Sequence, residues 1–151
     1  MTVPDAVMTR VGEGIALSQA GNRAAARVLF DELWEQVGSG GDPLHRCAVA
    51  HWMADLQDDP ADELHWDLLA LTAADSLTAV RATDGGVTTP VSAMYPSLHL
   101  NIADAYRRLH DQDRARQHLA RGLAAAEALP DDGYGQMIRS GLARLAERLS
   151  D

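Results

Sequence analysis

Histidine, aspartate, asparagine and arginine recur at helical spacing in two stretches of the chain, and these residues carry what chemistry it has. His51 and Asp55 are four residues apart, hence on one face of a helix. His99, Asn101, Asp104 and Arg107 occupy the second stretch. Two histidines and two carboxylates brought together can ligate zinc or do acid–base work. The H-E-x-x-H spacing of a dedicated zinc helix is absent. Cys47 stands four residues before His51, the start of a Cys–His pair or a soft metal site. A free cysteine on an apolar stripe is more often a small buried hydrophobe, and that is the stronger reading. The arginines Arg107-Arg108 can satisfy the last carbonyls of a helix or hold a carboxylate in their planar forks. No G-x-S-x-G, P-loop or G-x-G-x-x-G is present. The chain is therefore expected to be no enzyme and to use no cofactor.

Helices must position these groups. The 46% hydrophobic content is mostly Ala and Leu, with little aromatic residue and few β-branched runs, which favours helix throughout. Asp5 is a plausible cap for a first helix to Ala20, with Met8, Val11 and Ile15 on its apolar side. Gly21-Asn22 ends it, and Arg23–Val37 forms a second helix through Ala26, Leu29, Phe30 and Leu33. After the Gly38-Ser39-Gly40-Gly41 break, Asp42-Pro43 and Asp59-Pro60 each place a cap before a proline at the first helical position. These open a third helix through Cys47, Ala50 and Met53 and a fourth through Leu64, Leu68 and Leu71. Residues 82–95 hold Gly85-Gly86 and Pro90 and read as a mobile linker, with a flap over a binding surface as the alternative.

Residues 95–129 carry the clearest pattern. Leu98, Ile102, Ala105, Tyr106 and Leu109 make one stripe; after His110–Asp113, Ala115, Leu119, Gly122, Leu123 and Ala126 make another. Two such helices joined by about four residues fold back as an antiparallel hairpin. Asn101-Ile102-Ala103, Tyr106, Asp111 and Ala115 fall in the order of a tetratricopeptide repeat, which this segment resembles. Gly14, Gly21, Ala26 and Phe30 match the same pattern in the first hairpin; the second, about 43–81, is the least typical. A last helix, about 133–150, has Ile138, Leu142, Leu145 and Leu149 on one side and Arg139, Arg144 and Arg148 on the other, as a cap over an open apolar face requires. The resemblance implies one all-α domain, residues 1–151, of antiparallel helix hairpins stacked as a short right-handed solenoid. In such a stack the first helices of successive hairpins line a concave groove, which would gather His51, Asp55, His99, Asn101, Asp104 and Arg107 as a ligand-binding set. The family's carboxylate clamp, built from basic residues and asparagines, would retain Asn101 and Arg107.

The partner expected from this is a protein or peptide segment. The formal charge is −9, and residues 42–75 hold eight acids against Arg46 alone. That block either solvates the surface or meets basic flanks of the partner. No basic stripe exists to neutralise phosphates, so nucleic acid is disfavoured. Trp34, Trp52 and Trp66 are better read as packing residues than as exposed anchors. A single cysteine excludes an internal disulfide, and Met1–Asp5 lacks the charged start and apolar core of a signal peptide. The expected location is the cytoplasm, away from membranes. An enzyme using the His/Asp cluster and a homodimeric scaffold are the alternatives.

Overall fold

The computed structural model describes residues 5–38, 40–83 and 94–150. Among them the protein is all-α, with seven helices and no strand. These are α1 (Ala6–Gln19), α2 (Arg23–Val37), α3 (Pro43–Asp55), α4 (Pro60–Thr83), α5 (Tyr95–Arg108), α6 (Gln112–Ala126) and α7 (Gly133–Leu149). The chain divides within α4 into two compact units, Met1–Ala73 and Ala74–Asp151. Most of the expected 82–95 linker, residues 84–93, lies outside the described residues, while Ala82 and Thr83 still belong to α4. Among the described residues no helix is long and apolar enough to cross a membrane.

In the first unit, aspartates start the helices as their side-chain chemistry predicts. Asp5 accepts from the Met8 amide at 3.1 Å, Asp42 from Leu44 at 2.9 Å and Asp59 from Ala61 at 2.8 Å, each satisfying an otherwise orphaned donor. Gly21, at φ 88°, supplies the left-handed residue that turns α1 into α2. Gly14 lets the Phe30 ring lie flat against α1, for a Cβ there would stand 2.7 Å from the ring. Phe30, Leu33, Val49, Met53 and Leu56 are buried around that contact. Trp34 meets Trp66 edge-on at 5.1 Å, and both pack with Trp52 against this core, so the tryptophans are packing residues.

The second unit is built on the α5–α6 hairpin. His110, at φ 66°, makes the left-handed turn between them, a conformation that histidine tolerates better than most residues with a side chain. Asp111 then caps α6 and Asp132 caps α7, by accepting from the Arg114 and Gly135 amides. α7 packs on both hairpin helices, burying Ile138, Leu142, Leu145 and Leu149 with Ala103, Ala115 and Leu119. Tyr106 packs against the same cluster, of which Ala115 is a member. Gly122 permits this approach: a Cβ there would lie 2.9 Å from Leu142 Cδ2 and 3.3 Å from His99 Cβ. Arg139 reaches back to bind the Ala126 and Leu129 carbonyls at 3.1 and 2.6 Å, covering the orphaned end of α6. Two residues of the expected stripes, Leu109 and Leu123, are exposed at 38% and 45%. Leu109 sits where α5 stops, and Leu123 is rotated about 100° from Gly122 off the helix seam.

Candidate functional site

α5 divides its polar residues between two neighbours. Leu100, Asn101 and Asp104 turn towards α7, whose Gly141, Arg144, Leu145 and Arg148 recur at intervals of three and four and so share a face. Together they line a cleft of about 270 Å³ within the second unit. Asp104 is already engaged: Oδ1 accepts from Arg107 Nε and Nη2 at 3.0 and 2.9 Å, and Oδ2 from Arg108 Nε at 3.1 Å. Arg107 thus binds a neighbour on its own helix, and its fork holds Asp104 in one rotamer. Among the described residues, by contrast, Arg144 and Arg148 enter no ion pair, and both are exposed. Arg144 and Arg148 on its wall, with Asp104 already paired to Arg107 and Arg108, leave the cleft cationic, and the Asn101 amide offers both a donor and an acceptor beside them.

His99 turns the other way, into the seam with α6, where its Nδ1 lies 3.0 Å from Nδ1 of His118. Both rings are buried, at 7% and 8% exposure. They belong to a column of rings: Tyr95 over His99 at 6.2 Å, His118 at 5.2 Å beyond, then Tyr106 at 5.6 Å, with the Arg114 guanidinium 5.9 Å from the Tyr106 ring. Tyr95 donates its hydroxyl to Asp75 at 2.8 Å. Burial lowers the pKa of both histidines. His118 falls to about 4, with His99 and then Arg121 adding repulsion; on His99, Arg121 acts in the same sense and Asp75 opposes it. Neutral at pH 7, one ring donates its Nδ1–H to the bare Nδ1 of the other. The 3.0 Å separation is that of a hydrogen bond. Among the described residues no group of three or more His, Cys, Asp or Glu side chains is arranged to hold a metal.

The remaining two candidates, His51 and Asp55, lie on α3 in the first unit, whereas His99, Asn101, Asp104 and Arg107 lie in the second. His51 is half-buried, edge-on to Trp52 at 5.6 Å, with Nδ1 buried and making no hydrogen bond. Burial lowers its pKa, and the Asp55 charge offsets part of that. Cys47 is fully buried, and burial alone pushes its thiol up to about 12, which removes it as a nucleophile at neutral pH.

Of the six expected residues, the second unit brings Asn101 and Asp104 into one cleft, holds Arg107 against Asp104, and turns His99 into the α5–α6 seam. Sequence reasoning missed His118, Arg144 and Arg148 as site residues. A signal existed for His118, which falls on the Ala115–Gly122 stripe where an apolar residue is expected. Compared with protein-family models, curated proteins and solved structures, the chain matches none.

Proposed function

We propose that the chain is a non-enzymatic helical interaction module, and that its second unit holds an acidic peptide segment in the α5–α7 cleft. The observation that carries this reading is the state of the charges: Asp104 is neutralised by Arg107 and Arg108, while Arg144 and Arg148 face the same cleft without a partner among the described residues. Guanidinium forks one helical turn apart suit a planar carboxylate, which both can reach. Asn101 can bond a backbone amide through its donor and its acceptor, and Leu100 and Leu145 supply apolar wall for the adjoining side chain. A volume near 270 Å³ fits one or two residues of a peptide, not a whole domain. This is the ligand chemistry that the resemblance to tetratricopeptide repeats implied, with Arg144 and Arg148 taking the role first given to Arg107.

The basic flanks expected from the acidic block at 42–75 concern residues that lie almost wholly in the first unit and need their own test. The cleft is tested by titrating a fluorescent peptide that ends in Asp-Asp with a free carboxylate, against its C-terminally amidated form with Asn-Asn. Binding should need the acidic form, weaken with salt, and fall at least tenfold in Arg144→Ala/Arg148→Ala. Equal binding of both peptides, or of both proteins, would reject the cleft as the site.

A further inference from the structure

The His99–His118 contact is unusual in its proton requirement. A bond between two Nδ1 atoms needs one proton between them, and at 3.0 Å it cannot accommodate two. We infer that His99 and His118 form an acid latch on the α5–α6 hairpin, whose Nδ1–Nδ1 bond survives uptake of one proton and breaks on uptake of a second. This inference stands independently of the peptide-binding reading.

The tautomers decide where each proton enters. In the neutral pair one ring is protonated at Nδ1 and the other at Nε2. The first added proton takes the bare Nε2, turning the donor into an imidazolium and the hydrogen bond into a charge-assisted one. A second proton can enter only at the bare Nδ1. Two N–H groups then face each other at hydrogen-bond distance, both rings are cations, and the seam is nearly dry.

The surroundings oppose that state. From α6, Arg121 repels charge on both rings, and Arg114 stands beyond Tyr106 at the end of the column. From α5, Tyr95 and Tyr106 cover the outer faces of the two histidines. From α4, Asp75 favours the charged form of His99, but its Oδ1 already accepts the Tyr95 hydroxyl. α7 contributes apolar Leu142, fully buried against Gly122 beside His99. Separating α5 from α6 therefore also removes the seat of Leu142, and the second unit loses its packing as a whole. The sign follows from the lowered values: the stability is complete above the ordinary 6.5 and is lost as pH falls from there towards about 4, because the unfolded chain binds the protons more readily.

The two units can be watched separately in the intact chain, since the three tryptophans lie in the first unit and Tyr95, Tyr106 and Tyr134 in the second. Nitrogen NMR of the histidine side chains at pH 7 should show one protonated and one bare Nδ1 in the pair. On acidification the near-ultraviolet tyrosine dichroism should persist through the first protonation and vanish with the second, in a transition whose steepness approaches one proton. His118→Gln, which keeps a hydrogen-bonding group but takes up no proton, should move that transition at least one pH unit lower. Two bare Nδ1 atoms at pH 7, loss of tyrosine dichroism with the first proton, or an unshifted transition in the variant would each overturn the latch. Should the variant fail to fold, the tautomer spectrum and the order of events in the parent decide alone.

Discussion

Gly141 and Leu100 face each other across α7 and α5 so closely that a Cβ on Gly141 would stand 2.9 Å from Leu100 Cδ2. Both residues line the cleft, and Leu100 is only half-buried, so its terminal methyl has room to yield. Gly141→Ala should therefore be tolerated by the fold. Helix propensity favours Ala over Gly by about 1 kcal/mol, which offsets the cost of rotating Leu100. The displaced methyl should narrow the cleft, so the acidic peptide binds more weakly while the melting temperature stays level or rises. Loss of stability with binding intact would mean that the cleft is not the binding surface.

Gly122 is the contrasting case. Its added methyl would meet Leu142 at 2.9 Å, a fully buried side chain, and His99 Cβ at 3.3 Å, which has no free end to move. Gly122→Ala should lower the urea midpoint of the second unit by overpacking of about 1–3 kcal/mol, more than the gain in helix propensity returns. Tyrosine dichroism is the readout; an unchanged midpoint would show that α7 does not rest on the hairpin at this point.

The helices were legible because their signals are local. Asp5, Asp42, Asp59, Asp111 and Asp132 are caps whose partners lie two or three residues away. The site was less so. Whether an arginine on the outer face of α7 is merely solvated or lines a cleft depends on which helix lies opposite, and periodicity within α7 says nothing of that. Arg144 and Arg148 read only as the outer side of a capping helix for this reason. Arg107 is a different case: its position suggests a ligand contact, and the structure shows it paired with Asp104 one turn back. His99 and His118 are nineteen residues apart and meet only because the hairpin closes with one particular register.

Cys47 gives a test of the first unit's core. With the thiol buried and held near 12, less than one molecule in a thousand carries a thiolate at pH 8. A thiol-reactive dye should label the native protein only at the rate of unfolding and the urea-unfolded protein within minutes. Rapid native labelling would place Cys47 outside the core.

Asp5 does two jobs in that unit, capping α1 through Met8 and meeting His45 of α3 at 2.7 Å. The His45 hydrogen bond, then that of Met8, holds its pKa below the ordinary 3.8. This contribution is therefore present above pH 3.8 and lost as pH falls through the lowered value. Asp5→Asn keeps a capping oxygen but not the charge, so it should lower the melting temperature less than Asp5→Ala when followed by tryptophan fluorescence. Equal losses in the two variants would assign the whole effect to His45.

Amide NMR of the titrated protein locates the binding site of an acidic segment most directly. With the Asp-Asp peptide, the shifts should concentrate at Asn101, Gly141, Arg144 and Arg148, and should vanish in Arg144→Ala/Arg148→Ala. Shifts confined to α1–α3, or an undiminished response in that double variant, would contradict the central claim.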